Sequence, residues 1–94
     1  MGVLVDALAR LPDEAMSNRA AIVANLGAAH ARLGDPEHAA ALLLEAWEIA
    51  STAGLSDRRR RVLGVRRRDL EHWSAEPAVR RLDEVLAAQA PIGC

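Results

Sequence analysis

Hydrophobic side chains recur at intervals of three and four residues along most of the chain, which is the spacing of amphipathic helices. Proline, glycine and polar clusters interrupt this spacing and divide the chain into about five predicted helices. The first is a partial helix over residues 1–11, which ends before Pro12 because proline removes a backbone donor. The second begins near Ser17 or Asn18 and ends at Leu33. Its predicted core face consists of four residues at i, i+4, i+7 and i+11: Ile22, Leu26, Ala29 and Leu33.

A very short turn follows the second helix. Gly34 is the expected stop, Asp35 the expected N-cap, and Pro36 occupies the first helical position, where its missing N–H costs nothing. The third helix then runs from Pro36 to about Thr52 and ends near Gly54. Because the connection is so short, the second and third helices are predicted to be antiparallel neighbours.

The last two predicted helices follow the same rules. Ser56 or Asp57 caps a fourth helix that reaches about Trp73, and Pro77 stands near the first position of a fifth helix. Residues 91–94 are expected to be a frayed tail. The fold class is therefore all-α, with antiparallel helical hairpins that stack on one another.

Composition supports this fold class. The chain has 94 residues, which suffices for one domain over residues 1–94. Trp47 and Trp73 are its only aromatic residues, so the predicted core is aliphatic and rich in alanine, as suits closely packed helices. Cys94 is the single cysteine, and no apolar run is long enough to span a membrane. We therefore expect a cytoplasmic protein without a membrane segment.

Residues 20–53 carry a pattern of small residues that resembles one tetratricopeptide repeat (TPR) of 34 residues. The repeat positions are the pair Leu26-Gly27, the turn glycine Gly34, and the small residues Ala39 and Ala46. Small side chains at such positions let neighbouring helices cross closely. On this resemblance, residues 55–90 form a degenerate second repeat and residues 1–11 end an earlier one. An ordinary helical bundle is the alternative.

A narrower resemblance covers nearly the whole chain. The stretch from Arg19 to Ala50, an arginine-rich helix that ends in tryptophan, and "EPAVRRLDEVLAA" resemble the carboxy-terminal helical domain of actinobacterial helix-turn-helix transcriptional regulators. The resemblance implies a sensory or partner-binding tail. No helix pair with a helix-turn-helix signature precedes residue 20, so we expect no direct DNA binding. A fragment of a regulator and a free-standing relative both remain open.

The run "DRRRRVLGVRRRD" is the obvious candidate for nucleic-acid binding. Consecutive arginines project about 100° apart on a helix, so they surround it and do not line one groove-facing stripe. We interpret the run as a solvated face with ion pairs. The predicted pairs are Asp57 with Arg61, Arg67 with Glu71, and Arg59 and Arg66 with acids such as Glu45, Glu48 or Asp83. An acidic protein partner that binds Arg67 and Arg68 is the second interpretation, and a nucleic-acid accessory role is the third.

A second candidate face lies on the second predicted helix, where Asn25 and Arg32 offer directional hydrogen bonds between the small residues Ala21 and Ala28. In a TPR array this side lines the groove that binds a peptide. Plain exposure to solvent is the alternative. Either way, two repeats and a fraction leave apolar surface at the ends, which predicts docking on a partner protein or a homo-oligomer.

Metal binding and catalysis find little support in the sequence. No histidine lies four residues from another, and His72 beside Asp69 and Glu71 is the best candidate for a ligand. His30 is expected to fill a half-buried repeat position and His38 a surface position. No phosphate-binding loop or nucleophile motif is present. We therefore predict a protein-interaction module that is not an enzyme and that has no cofactor and no metal.

Overall fold

The computed structural model describes the backbone of residues 2–88 and the side chains of residues 14–88. Four α-helices make up this part: α1 (Gly2–Arg32), α2 (Pro36–Ala53), α3 (Ser56–Asp69) and α4 (Pro77–Ala88), with a 3-10 turn (Glu71–Trp73) before α4. The described backbone contains no strand, so the all-α fold class is confirmed. The predicted tail over residues 91–94, and the end of the predicted repeat over 55–90, lie outside the described residues.

The predicted break at Pro12 is wrong. α1 is a single helix of 31 residues that passes through Pro12, and Ser17 and Asn18 lie inside it. Proline removes one backbone hydrogen bond and crowds the preceding turn, at a cost of about 3 kcal/mol. The hydrogen bonds of the turns on both sides outweigh that local loss. The described chain therefore has four α-helices where the sequence predicted about five.

The turn between α1 and α2 is as predicted. Gly34 has a φ of 81°, in the left-handed region that suits glycine. The N–H of Asp35 donates to the carbonyl oxygen of His30 at 2.9 Å and closes the end of α1. Oδ1 of Asp35 accepts from the backbone N–H of His38 at 3.2 Å and caps α2, which begins at Pro36. α1 and α2 therefore form a tight antiparallel hairpin.

Close packing joins the two helices of this hairpin at Gly27. A Cβ atom at Gly27 would lie 3.1 Å from Cδ2 of Leu43 and 3.3 Å from the carbonyl oxygen of Ala39. Ala39 and Ala46 are fully buried on α2. The small residues at these positions thus let the backbones approach more closely than larger side chains would.

The predicted core face of α1 is wrong. Ile22, Leu26 and Leu33 are 59%, 48% and 80% exposed, and Ala29 is also exposed. In the part of α1 whose side chains are described, the buried hydrophobic residues are instead small: Ala20, Val23, Ala24, Ala28 and Ala31. Only side chains of this size fit the close approach of α2, because a row of leucines would hold the helices apart. α1 therefore leaves its larger aliphatic side chains outside.

α3 and α4 pack against α2 and complete the core. Its largest fully buried side chains come from α2, α3, α4 and the residue after α3: Leu43, Trp47, Val62, Val65, Leu70, Val79 and Leu82. The N-cap of α3 is Leu55, and the predicted caps Ser56 and Asp57 are instead its first two residues. α3 ends at Asp69, earlier than predicted, and the short 3-10 turn carries Trp73. α4 begins at Pro77, as predicted. Among the described side chains of α1, from residue 14 onward, this arrangement leaves one side uncovered.

Candidate interaction surface

The uncovered side of α1 carries a row of apolar residues, here called the α1 stripe: Ile22, Leu26, Ala29 and Leu33. Their spacing of four, three and four residues places them on one face of the helix. Three of the four are large aliphatic residues, each about half exposed or more. A row of this kind on one face differs from the scattered exposed leucines that most protein surfaces carry.

α3 lies alongside the α1 stripe. Nε of Arg58 donates to Oγ of Ser17 at 3.0 Å, and Arg61 donates to the side-chain oxygen of Asn25. Asn25 lies on the helix surface beside Ile22 and next to Leu26 in the sequence, so the Arg61 guanidinium lies at the border of the stripe. α3 thus places positive charge next to exposed apolar side chains.

Further arginines extend this charge. Arg60, Arg61 and Arg68 line an open depression of about 350 Å³ beside Gly64. Nε of Arg32 lies 3.6 Å from one carboxylate oxygen of Asp69, and Nε of Arg68 lies 3.6 Å from the other. We call the four arginines on this side the arginine edge: Arg32, Arg60, Arg61 and Arg68. Asp57 and Asp69 offset only part of their charge.

Two arginines of α3 serve the fold instead. Arg66 makes a two-pronged contact with Asp83 of α4, at 2.6 Å from Nε and 2.8 Å from Nη2. Hydrogen bonding to Asp83 raises the pKa of the Arg66 guanidinium above its usual value. The guanidinium carbon of Arg59 lies 5.8 Å from the ring centroid of Trp47, a cation–π contact. Arg66 thus binds one of the three acids predicted for Arg59 and Arg66, whereas the contact shown for Arg59 is with the Trp47 ring.

The structure separates the other predicted arginine contacts. Arg61 donates to the side-chain oxygen of Asn25, and Oδ1 of its predicted partner Asp57 lies 3.7 Å from Nη1 of Arg60. Oε1 of Glu71, the predicted partner of Arg67, lies 3.9 Å from Nη1 of Arg66. Arg67 lines a different depression, of about 380 Å³, together with Leu63. Arg67 and Arg68, predicted to act together, therefore face different sides of α3.

The predicted groove residues Asn25 and Arg32 both lie beside α3 and contact its side chains. Ala28 is buried between them, and Ala21 is half-buried. The polar groups of Asn25 and Arg32 contact α3. The larger exposed surface lies next to these two residues, on the α1 stripe. Sequence reasoning missed this surface because it assigned the stripe to the core.

The turn between α1 and α2 brings together two histidines and a carboxylate. Oδ2 of Asp35 lies 2.7 Å from Nδ1 of His38 and 3.5 Å from Nδ1 of His30. The two imidazole rings are stacked, with centroids 5.5 Å apart and planes 30° apart. A hydrogen bond from the backbone N–H of His38 lowers the pKa of the Asp35 carboxyl below its usual value.

Ligand spacing along a single helix does not reveal this cluster. His30 and His38 belong to different helices, and only the hairpin brings them together. The signal was nevertheless present, since the predicted turn placed Asp35 between them.

None of the helices in the described part of the chain combines the length and apolar character that a membrane crossing requires. Comparison of the chain with models of protein families gives no match, and comparisons with curated proteins and with solved structures give none either.

Proposed function

We propose that this chain is a non-enzymatic, TPR-like protein-interaction or sensory module. Its α1 stripe binds the apolar side of an amphipathic, acidic segment of a partner protein, and its arginine edge binds the carboxylates of that segment. The observation that carries the proposal is the row of exposed Ile22, Leu26 and Leu33, at whose border Arg61 of α3 binds Asn25.

The apolar half of the surface supplies the driving force. Full burial of one large aliphatic side chain is worth about 1.5–3 kcal/mol, so covering three half-exposed ones contributes several kcal/mol. The arginines add orientation and selectivity, because guanidinium groups bind carboxylates in a two-pronged geometry. An amphipathic helix with leucines on one side and glutamates beside them complements both halves.

The TPR-like part of the proposal rests on the small residues of the α1–α2 hairpin. Gly27, Ala39 and Ala46 occupy the positions at which the sequence resembles a repeat, and Gly27 lies where α2 leaves too little room for an unstrained Cβ atom. On the resemblance to regulators, the module would serve as the sensory or partner-binding tail of a bacterial transcription regulator.

Two further functions use the same charges. A free-standing adaptor or inhibitor would bind an acidic partner through the arginines of α3 alone. A nucleic-acid accessory protein would bind phosphates through them, with an affinity that falls steeply as salt rises. The α1 stripe favours the first proposal over both, since neither alternative uses exposed aliphatic side chains.

The test uses two fluorescent helical peptides with the same leucine face, one with glutamates and one with lysines on its flanks. Fluorescence anisotropy measures their binding to the tag-free protein. We expect the glutamate peptide to bind at least tenfold more tightly. Replacing the exposed stripe residues together, Ile22→Gln, Leu26→Gln and Leu33→Gln, gives the triple stripe variant, which should weaken this binding at least tenfold.

Leu63→Gln is the matched control, because Leu63 is a similarly exposed leucine near Arg66 and α4, away from the α1 stripe. It should change binding less than twofold. Equal binding of both peptides, or equal effects of the two variants, would overturn the proposal. A second copy as the occupant would appear in sedimentation as a dimer that the triple stripe variant dissociates. Salt-sensitive binding of an oligonucleotide without peptide binding would favour the nucleic-acid role.

A further inference from the structure

We propose that His30, Asp35 and His38 form a binding site for a divalent transition-metal ion, with Zn²⁺ as the ion it takes. The ion would join the end of α1 to the start of α2. This site lies at the hairpin turn and does not depend on the proposed function of the α1 stripe.

The two oxygens of the Asp35 carboxylate make different contacts. Its Oδ1 accepts from the backbone N–H of His38 and caps α2, while its Oδ2 lies near Nδ1 of both histidines. One oxygen is therefore held by the fold, and the other is directed at two imidazole nitrogens. Neutral imidazole and carboxylate are both established ligands of Zn²⁺.

The distances are close to those that a tetrahedral ion requires. One ligand atom from each of the three residues lies within 4.8 Å of the other two. Bonds of about 2.0–2.1 Å at a tetrahedral Zn²⁺ ion place neighbouring ligand atoms about 3.4 Å apart. The distance of 3.5 Å from Nδ1 of His30 to Oδ2 of Asp35 already fits this geometry. The distance of 2.7 Å from Nδ1 of His38 to the same oxygen has to increase by about 0.7 Å. Rotation of the exposed His38 ring provides that movement.

Three protein ligands leave the fourth position of the ion open to water or to a group from outside. His30 and Asp35 are partly exposed and His38 is largely exposed, so the ion can enter from solvent. An open fourth position is typical of zinc sites that bind a further ligand, in contrast to closed structural sites with four protein ligands.

The electrostatic surroundings also suit a cation. A depression of about 340 Å³ next to Asp35 is lined by two further carboxylates, Glu37 and Glu76, with Arg81 as their basic counterpart. The C-terminal end of α1 carries partial negative charge, and the N-terminal end of α2 carries partial positive charge, so the two helix dipoles offset each other at the turn. The carboxylates therefore decide the sign of the local field.

Isothermal titration of the tag-free protein with ZnCl₂ near pH 7.5 tests the site. We expect one ion per chain and saturable binding in the micromolar range. Co²⁺, used as a spectroscopic probe, should give the intense visible absorption of a tetrahedral site. Because bound imidazole must be deprotonated, acidification to about pH 5 should release the ion.

Three variants remove one ligand each: His30→Gln, His38→Gln and Asp35→Asn. Asp35→Asn is the sharpest of them, because asparagine caps a helix as well as aspartate does but lacks the carboxylate charge. Each variant should weaken Zn²⁺ binding at least tenfold. Two controls should change it less than twofold: His72→Gln removes a histidine outside the cluster, and Cys94→Ser removes the single thiol.

Thermal unfolding gives an independent readout. A saturating excess of Zn²⁺ should raise the unfolding midpoint of the unaltered protein by several degrees, since an ion that binds only the folded hairpin stabilises it. The Asp35→Asn variant should show no such rise. Absence of saturable binding below about 1 mM, a weak site by any standard, would overturn the proposal. Equal binding by the three ligand variants and the two controls would overturn it as well.

Discussion

Asp35 shows how a single side chain fixes the turn between α1 and α2. Its Oδ1 caps α2 through the backbone N–H of His38, and the N–H of Asp35 closes the end of α1. The hydrogen bond from His38 holds the pKa of the Asp35 carboxyl below the usual value of 3.8. The charged form of Asp35 is thus favoured by folding.

This lowered pKa predicts a dependence of stability on acid. A carboxyl whose pKa is lower in the folded state stabilises the protein above its unfolded pKa, and the contribution is lost as the pH falls through the folded pKa. The reference is Asp35→Asn, whose cap does not titrate. Urea unfolding of both proteins from pH 5 to pH 2.5 measures their free energies of unfolding. The excess of the wild type over Asp35→Asn should shrink below about pH 4. A difference that stays constant over this range would contradict the role of the charge.

Gly27 and Gly64 form a matched pair that tests the close approach of α1 and α2. Both are helical, but a Cβ at Gly27 meets Leu43 and Ala39, whereas a Cβ at Gly64 meets nothing within 4 Å. Alanine in place of an exposed helical glycine stabilises by roughly 0.5–1 kcal/mol, so Gly64→Ala should raise the free energy of unfolding. Gly27→Ala should lower it by about 1 kcal/mol, because overpacking exceeds the gain in helix propensity.

The measurement is chemical denaturation of the two variants beside the wild type. If Gly27→Ala stabilised the protein as much as Gly64→Ala, the helices would have room at Gly27 and the account of the hairpin would fail.

Individual residues differed in how well the sequence revealed their role. Gly34, Asp35 and Pro36 were predictable because each satisfies a local requirement of the backbone: a positive φ, a cap, and a first turn without an N–H. The exposure of Leu26 was not predictable in this way. α1 has apolar residues on two faces, and only the surface of α2 decides which face is buried.

At the scale of elements, the sequence predicted the start of α2, α3 and α4 but divided α1 into two helices. Prolines at the first position of α2 and α4 mark helix starts. Pro12 is also a proline that could mark a helix start, but it lies inside α1, which continues on both sides of it. A local rule identifies a terminus only where other local signals agree, as the glycine and aspartate before Pro36 do.

The contact of Arg66 with Asp83 is the ion pair that joins α3 to α4. Arg66 is only 15% exposed, and its guanidinium makes two hydrogen bonds to one carboxylate. A double-mutant cycle with Arg66→Gln and Asp83→Asn should give a coupling free energy of about 1 kcal/mol, reduced by the partial exposure of Asp83.

The control cycle pairs Arg60→Gln with Asp57→Asn, because that ion pair is almost fully exposed. Its coupling should lie near zero, since solvent screens exposed pairs. Equal couplings in the two cycles would show that the Arg66 contact does not join the helices.

The interaction surface and the histidine cluster both depend on more than one element. His30 and His38 meet because the hairpin folds back, and Arg61 lies at the border of the α1 stripe because α3 lies beside α1. Periodicity within one helix cannot reveal such neighbours. The sequence therefore supplied the residues of both sites, whereas their grouping came from the packing of helices.

At the scale of the whole molecule, α1 has one face against the core and one face toward solvent. The core face carries small side chains because α2 lies close to it. The larger side chains of Ile22, Leu26 and Leu33 therefore lie outside the core. Arginines from α3 border the exposed face. Our account of function depends on this division of α1, because a stripe that belonged to the core would not be free to bind a partner.

The stability of the triple stripe variant tests this division most directly. Its control is Leu43→Ala, at a fully buried position of α2, which should lower the free energy of unfolding by about 2–5 kcal/mol. Urea denaturation followed by circular dichroism should show that the triple stripe variant remains folded, with a free energy of unfolding within about 1 kcal/mol of the wild type. A triple stripe variant that is unfolded, or destabilised as much as Leu43→Ala, would place the stripe in the core and contradict the account.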